Sequence, residues 1–151
     1  MQPDFNSIFR DYFDSQPDPL SYALRGDANF RHDAIFLSAL LHDATFRLAD
    51  VERVADRLTL RLDRDRWERP SDGPQGLLGV SSLLTFSGVH RIRWSFHFPN
   101  LPTSANELQV VAFSAALILP LSHVKCVLRG FRWMLRVRMK TRCEVRLQDA
   151  P

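Results

Sequence analysis

Between residues 131 and 147 every odd position is apolar or threonine: Phe131, Trp133, Leu135, Val137, Met139, Thr141, Cys143, Val145 and Leu147. The even positions carry Arg132, Arg136, Arg138, Lys140, Arg142 and Arg146, with only Met134 and Glu144 interrupting the basic run. A period of two sends successive side chains to opposite faces, so this stretch is a strand with one face in a core and the other in water. At roughly 3.3 Å per residue it would extend over about 56 Å, far beyond an ordinary strand, and the expectation is a turn or strong bend near Met139 to Arg142.

A strand of this kind needs partners, and the same alternation recurs upstream. Ala44, Phe46 and Leu48 form one set, and Leu58, Leu60 and Leu62 a second. A third is Leu78, Val80, Ser82, Leu84 and Phe86, and a fourth is Ile92, Trp94, Phe96 and Phe98. Gly73-Pro74 and Gly76 mark residues 70–79 as a loop, and Pro99 to Pro102 turns the chain. Residues 110–119 are apolar apart from Ser114, compatible with a buried strand or a short helix, and the β-branched Val110-Val111 inclines the first part to strand.

The first forty residues follow a different period. Phe5, Ile8, Phe9, Tyr12 and Phe13 form the stripe of an amphipathic helix over residues 4–14, with Asp4 as its N-cap and Gln16-Pro17-Asp18-Pro19 ending it. Residues 20–41 read as helical, with a break at Gly26-Asp27 and with Phe30, Ala34, Leu37 and Leu41 at helical spacing. The fold expected is α+β: N-terminal helices packed on a mainly antiparallel β-sheet meander, a single domain over residues 1–151 with 44–147 mostly β. With 151 residues, 45% of them hydrophobic, the chain can bury a core without disulfides or a structural metal. Cys126 and Cys143 match neither a zinc site nor a CxxC pair and are expected to be reduced and structural.

The formal charge of +3 hides a division. Residues 1–120 hold 12 Arg and no Lys against 15 acids, a net of −3, whereas residues 121–151 hold eight basic residues against Glu144 and Asp149, a net of +6. Such asymmetry serves an anionic partner or pairs internally with the acidic body, and charge runs more often do the latter or simply solvate a face. The N-terminus, Met1-Gln2-Pro3-Asp4-Phe5, lacks the basic and apolar regions of a secretory signal, and the longest apolar run, residues 110–121, falls short of the roughly 20 residues that span a bilayer. These features lead to the expectation of a cytoplasmic protein that makes no membrane contact.

Catalytic signatures are sparse. There is no GxSxG, P-loop, GxGxxG or HExxH motif, and no cofactor is expected. His32-Asp33 and His42-Asp43 invite a metal-dependent hydrolase as the alternative function, but that chemistry needs further ligands, and the better account of His42-Asp43 is a helix-to-strand junction with Asp43 in an Asx-type turn. Asp63, Asp65 and Glu68 interleave with Arg64, Arg66 and Arg69, which suggests mutual neutralisation at a strand end. The basic sheet face is the remaining candidate: Arg132, Arg136, Arg138, Lys140, Arg142 and Arg146, joined by Arg57, Arg91 and Arg93 if their strands lie alongside. Arginine suits such a face because its planar fork grips carboxylate or phosphate in a bidentate way. Nucleic acid would call for exposed aromatics among the arginines, yet Trp94, Phe131 and Trp133 alternate to the opposite face, so an acidic protein partner is favoured over nucleic acid. Homo-oligomerisation through the Phe5, Phe9 and Phe13 stripe or a sheet edge is a further expectation.

Leu41-His42-Asp43-Ala44, followed by Phe46, by Leu58-Thr59-Leu60-Arg61-Leu62 and by Phe86-Ser87-Gly88-Val89, resembles a loose group of small, largely uncharacterised bacterial domains in which such a tetrad opens an antiparallel sheet. The resemblance covers about residues 41–98 and brings no catalytic residues. Some members of the group look like immunity proteins that neutralise bacterial toxins, which implies a non-enzymatic binding or interaction protein of bacterial type.

Overall fold

The structure is a computed structural model and describes residues 15–26, 30–68, 78–98, 100, 102–103, 105–118 and 123–150. The helix expected over 4–14 lies outside them. Along the chain come β1 (Ser21–Arg25), α1 (Phe30–Leu41), β2 (Thr45–Val54), β3 (Arg57–Asp65), β4 (Gly79–Phe96), β5 (Glu107–Gln109), β6 (Ala112–Ile118), β7 (His123–Gly130) and β8 (Trp133–Asp149). The strands form one antiparallel sheet in the order β5-β2-β3-β4-β8-β7-β6, with β1 added to β8 off this path.

The two ends of that order are nearly the same piece of chain. β5 pairs with β2 at one end and β6 with β7 at the other, and only Val110 and Val111 separate them. Both are tied in: the Val110 amide donates to the Ala44 carbonyl at 2.7 Å and the Val111 amide to the Arg129 carbonyl at 2.8 Å. A flat sheet cannot bring its ends so close, and the result is a curled half-barrel. This corrects the expected α+β arrangement of helices on a sheet. Among the described residues there is one helix, α1, and it packs against β6, β1 and β3 with Phe36, Leu37, Leu40 and Leu41 fully buried.

Residues 20–41 were expected to be helical on both sides of a break at Gly26-Asp27, but the part before the break is β1. Leu20 and Leu24 lie four apart, a spacing that suits either period, so the local pattern cannot choose. The choice comes from β8, which continues beyond β7 and offers its edge from Glu144 to Gln148 as a ladder for Ser21–Arg25. Backbone groups left open there would cost more than the short helix gains.

The third and fourth expected strands are one, β4, running unbroken for 18 residues beside the 17 of β8. Two strands of this length must bend, and they do so together. Between Ser87 and Val89 the partner on β8 jumps from Glu144 to Met139, so the expected interruption near residues 139–142 takes the form of a bulge rather than a turn. Gly88 makes it possible: its φ is +85°, and a Cβ there would lie 2.9 Å from the Arg142 carbonyl oxygen. Inward positions on both sides of the bend fill the core, from Leu84, Phe86, Leu135 and Val137 to Val145 and Leu147, each worth roughly 1.5–3 kcal/mol on burial. Cys126 and Cys143 are free and face this core, with the Cys126 Sγ 3.7 Å from the Met139 Sδ, and burial pushes both thiol pKa values up.

One end of the core is polar. Arg64 is 2% exposed and its guanidinium reaches Glu68 at 2.6 and 2.8 Å and Asp149 at 2.9 and 3.2 Å. Burial works against its charge, but the two carboxylates outweigh that and hold its pKa above the ordinary value. The neutralisation expected at the end of β3 therefore does involve Glu68, while the second carboxylate comes from the far end of the chain.

Candidate functional site

The alternation in β8 puts Arg136 and Arg138 on the outer face of the sheet, because Leu135, Val137 and Met139 are fully buried on the inner one. Its neighbours present cations at the same level. Arg91 on β4 and Lys125 on β7 both stand opposite Arg138, and Arg93 on β4 stands opposite Arg136. Five cations from three strands thus form a ladder around a trough of about 440 Å³ lined by Arg91, Arg93, Lys125, Arg136 and Arg138.

Directly opposed residues on neighbouring strands have Cβ atoms about 4.5–5.5 Å apart, and like charges so placed destabilise a sheet. Among the described residues none of the five takes part in an ion pair; the Arg136 Nη1 donates to the Ser95 hydroxyl at 3.3 Å. At one end of the ladder, at the level of Met139, the His90 and His123 rings stack with centroids 5.8 Å apart. At the other end the β7–β8 turn carries Phe131, 74% exposed, with the Arg132 guanidinium 5.0 Å from its ring centre.

The six basic residues singled out from the alternation therefore have different fates. Arg136 and Arg138 form the centre of the ladder, and Lys140 continues it, exposed, along β8. Arg132 sits in the turn with a φ of +64°, and Arg142 is exposed on the bulge beside Gly88. Arg146 is engaged within the chain: its Nε donates to Glu144 at 2.9 Å and its Nη1 to the Ser21 hydroxyl at 2.8 Å. The hydrogen bond from Arg146 is the largest cause holding the Glu144 carboxyl below the usual carboxylate range; burial opposes it, and the hydrogen bond from Arg25 at 3.2 Å adds a smaller lowering.

Arg91 and Arg93 join the ladder because β4 is the strand beside β8. Arg57, on β3 opposite Ser87, does not line the trough. Lys125, counted among the eight basic residues after position 120, was not expected on this face, although β7 alternates too: Val124, Cys126 and Leu128 are buried and Lys125 and Val127 are not. The aromatic side chains of Trp94, Phe96 and Trp133 cluster on the inner face, where Trp133 meets Phe46 edge-on at 5.3 Å and Trp94 stacks on Phe96 at 5.6 Å; Phe131, expected there with Trp94 and Trp133, is exposed instead because it lies in the β7–β8 turn, outside the strand alternation.

The two His-Asp pairs are not brought together. Asp33 and Asp43 lie at opposite ends of α1, ten residues or about 15 Å apart along a helix. Asp33 accepts the Tyr22 hydroxyl at 2.6 Å, tying α1 to β1. Asp43, with a φ of +64°, accepts the Gln109 side-chain amide at 3.1 Å, and its own amide donates to the Val110 carbonyl at 2.9 Å. The His42 Nδ1 lies 3.2 Å from the Val111 carbonyl oxygen. The Leu-His-Asp-Ala tetrad thus fastens the helix end to the crossing segment that joins the two ends of the sheet. Among the described residues, no three His, Cys, Asp or Glu side chains gather where they would hold a metal ion, and no helix is long and apolar enough to cross a membrane.

No protein-family model matches the chain, and no curated protein or solved structure matches it significantly.

Proposed function

We propose that this is a non-enzymatic interaction protein that docks an acidic protein partner on the cationic ladder of its outer sheet face. The observation that carries the reading is the opposition of Arg138 to both Arg91 and Lys125, and of Arg136 to Arg93, with no carboxylate paired to any of them among the described residues. Such a cluster costs the free protein stability and is relieved by an anion. Arginine forks favour carboxylates, and Trp94, Phe96 and Trp133 lie on the inner face, which leaves at that end of the ladder the single exposed ring of Phe131, too little to stack successive bases, and so favours a protein over RNA. The resemblance of residues 41–98 to immunity-type domains supports the same class of role, a stoichiometric inhibitor that covers an acidic surface of a toxin.

The test uses two probes of equal charge, a twelve-residue Asp/Glu-rich peptide and a single-stranded RNA, followed by fluorescence anisotropy at low and high salt. The peptide is expected to bind, to weaken as salt rises, and to lose its affinity in the triple variant Arg91→Glu, Arg136→Glu, Arg138→Glu. Peptide binding that survives the triple variant overturns the reading, and tighter binding of the RNA replaces the protein partner with a nucleic acid.

A further inference from the structure

The molecule carries a second surface of opposite character. β6 is the end strand of the sheet order, and between it and α1 runs a groove of about 640 Å³, floored by Ala34, Ala39 and Phe113 and walled by Ile35, Trp67 and Ala115. Its frame is held by named bonds: the Phe113 amide donates to the Ser38 hydroxyl at 3.1 Å, and the Trp67 Nε1 donates to the His42 carbonyl at 2.9 Å. Three large apolar side chains stand out to solvent on the same two elements and the residue just before β6: Ile35 at 59% exposure, Val111 at 47% and Leu117 at 51%. Of these, Ile35 lines the groove, and an exposed apolar side chain on the wall of a preformed groove marks a contact surface more than a solvated one.

The groove is reached from the ladder around the β6 edge. Lys125 stands opposite Ala116 on the outer face, whereas Phe113 and Ala115, which line the groove, alternate to the other face, so a partner that engages both wraps over β6. A stable protein interface combines a desolvated apolar centre with a charged surround, and a few aromatic or aliphatic anchors in pockets supply most of its affinity. The ladder has the charge and lacks the anchor pocket; the groove has the pocket. A second copy of this chain fits poorly, because a symmetric contact over β6 would bring a further set of five cations alongside the first.

We infer that the α1–β6 groove is the anchor site for the acidic protein partner proposed above, receiving one large apolar side chain, Trp, Phe or Leu, flanked by the carboxylates that engage the ladder. The inference rests on that reading for the partner's charge, and the experiment separates the two. Three twelve-residue peptides are titrated into the full chain by anisotropy and by amide NMR shifts: one Asp/Glu-rich, one identical except for a central Trp, and one with that Trp among Ser and Gly only.

The acidic Trp peptide is expected to bind at least tenfold tighter than the plain acidic one and to shift the Ser38, Ala39 and Ser114 amides. That gain should disappear in Ile35→Ser and in Ser114→Trp, two changes at exposed positions, while the plain acidic peptide binds both variants as it binds the parent. Equal affinities of the two acidic peptides overturn the anchor site and leave the ladder standing. Groove shifts with the neutral Trp peptide but no binding of the plain acidic one overturn the acidic partner and leave an apolar site. Absence of groove shifts with every peptide overturns the inference, and so does a dimer in sedimentation that Ile35→Ser dissociates, which would make a second copy the occupant.

Discussion

Asp149 illustrates how much of this molecule depends on single polar residues near the chain end. Its carboxylate accepts from Arg64, from the Ser82 hydroxyl at 2.7 Å and from the Leu20 amide at 3.1 Å, so three segments distant in sequence meet on one buried group. Removing one partner of a buried pair leaves an uncompensated charge, and the usual cost is about 3–5 kcal/mol. Asp149→Ala is expected to lose about that much in urea unfolding, against total stabilities of roughly 5–15 kcal/mol for domains of ordinary size. A loss below about 1 kcal/mol would mean that water or relaxation satisfies Arg64 in its place. The local sequence shows Arg64 and Glu68 as an i, i+4 pair, but no spacing rule connects either to residue 149.

At the scale of elements, β1 and β7 divide one edge of β8 between them. β7 takes the stretch from Trp133 to Met139 and β1 takes Glu144 to Gln148, with the bulge at Gly88 between. The β1 end is fastened by Glu144, which meets Arg25 and Arg146. Because its folded pKa lies below the ordinary value of about 4.3, its contribution to stability is fully present above that value and is lost as the pH falls through the lower folded pKa. Glu144→Gln should therefore lower Tm by a constant amount between about pH 6 and 8, and the difference from the parent should close as the pH falls below the ordinary carboxylate range. The effect is small, since exposed pairs of this kind are worth about 0.2–1 kcal/mol. A difference that persists at the acid end would show that Glu144 acts through packing.

For the whole molecule, the ladder implies a balance between stability and binding. Replacing Arg136 and Arg138 together by Ser removes all the like-charge oppositions around β8. The double variant is expected to unfold at a higher temperature than the parent at low salt, by an amount that shrinks as salt is added, and to lose affinity for the acidic peptide. A variant that binds less well and is also less stable would identify the two arginines as structural. The alternation from residue 131 onward already contained the outward direction of these side chains. It could not show which of the six basic residues cooperate, because that depends on which strands lie beside β8 and in what register.

Periodicity of two is a property of neighbouring residues, and from it follow most of the strands, the inward and outward faces, and the need for a bend near residue 140. Helical and strand periods coincide at Leu20 and Leu24, and there the outcome passed to the free edge of β8, which is far away in sequence. The curl of the sheet, the bond from residues 110 and 111 to both its ends, the joining of Arg91, Arg93 and Lys125 to Arg136 and Arg138, and the groove beside β6 all arise from strand pairings between distant segments. Such pairings are selected by the total of backbone hydrogen bonds and buried apolar area across the sheet, a sum to which no single stretch of the chain holds the answer.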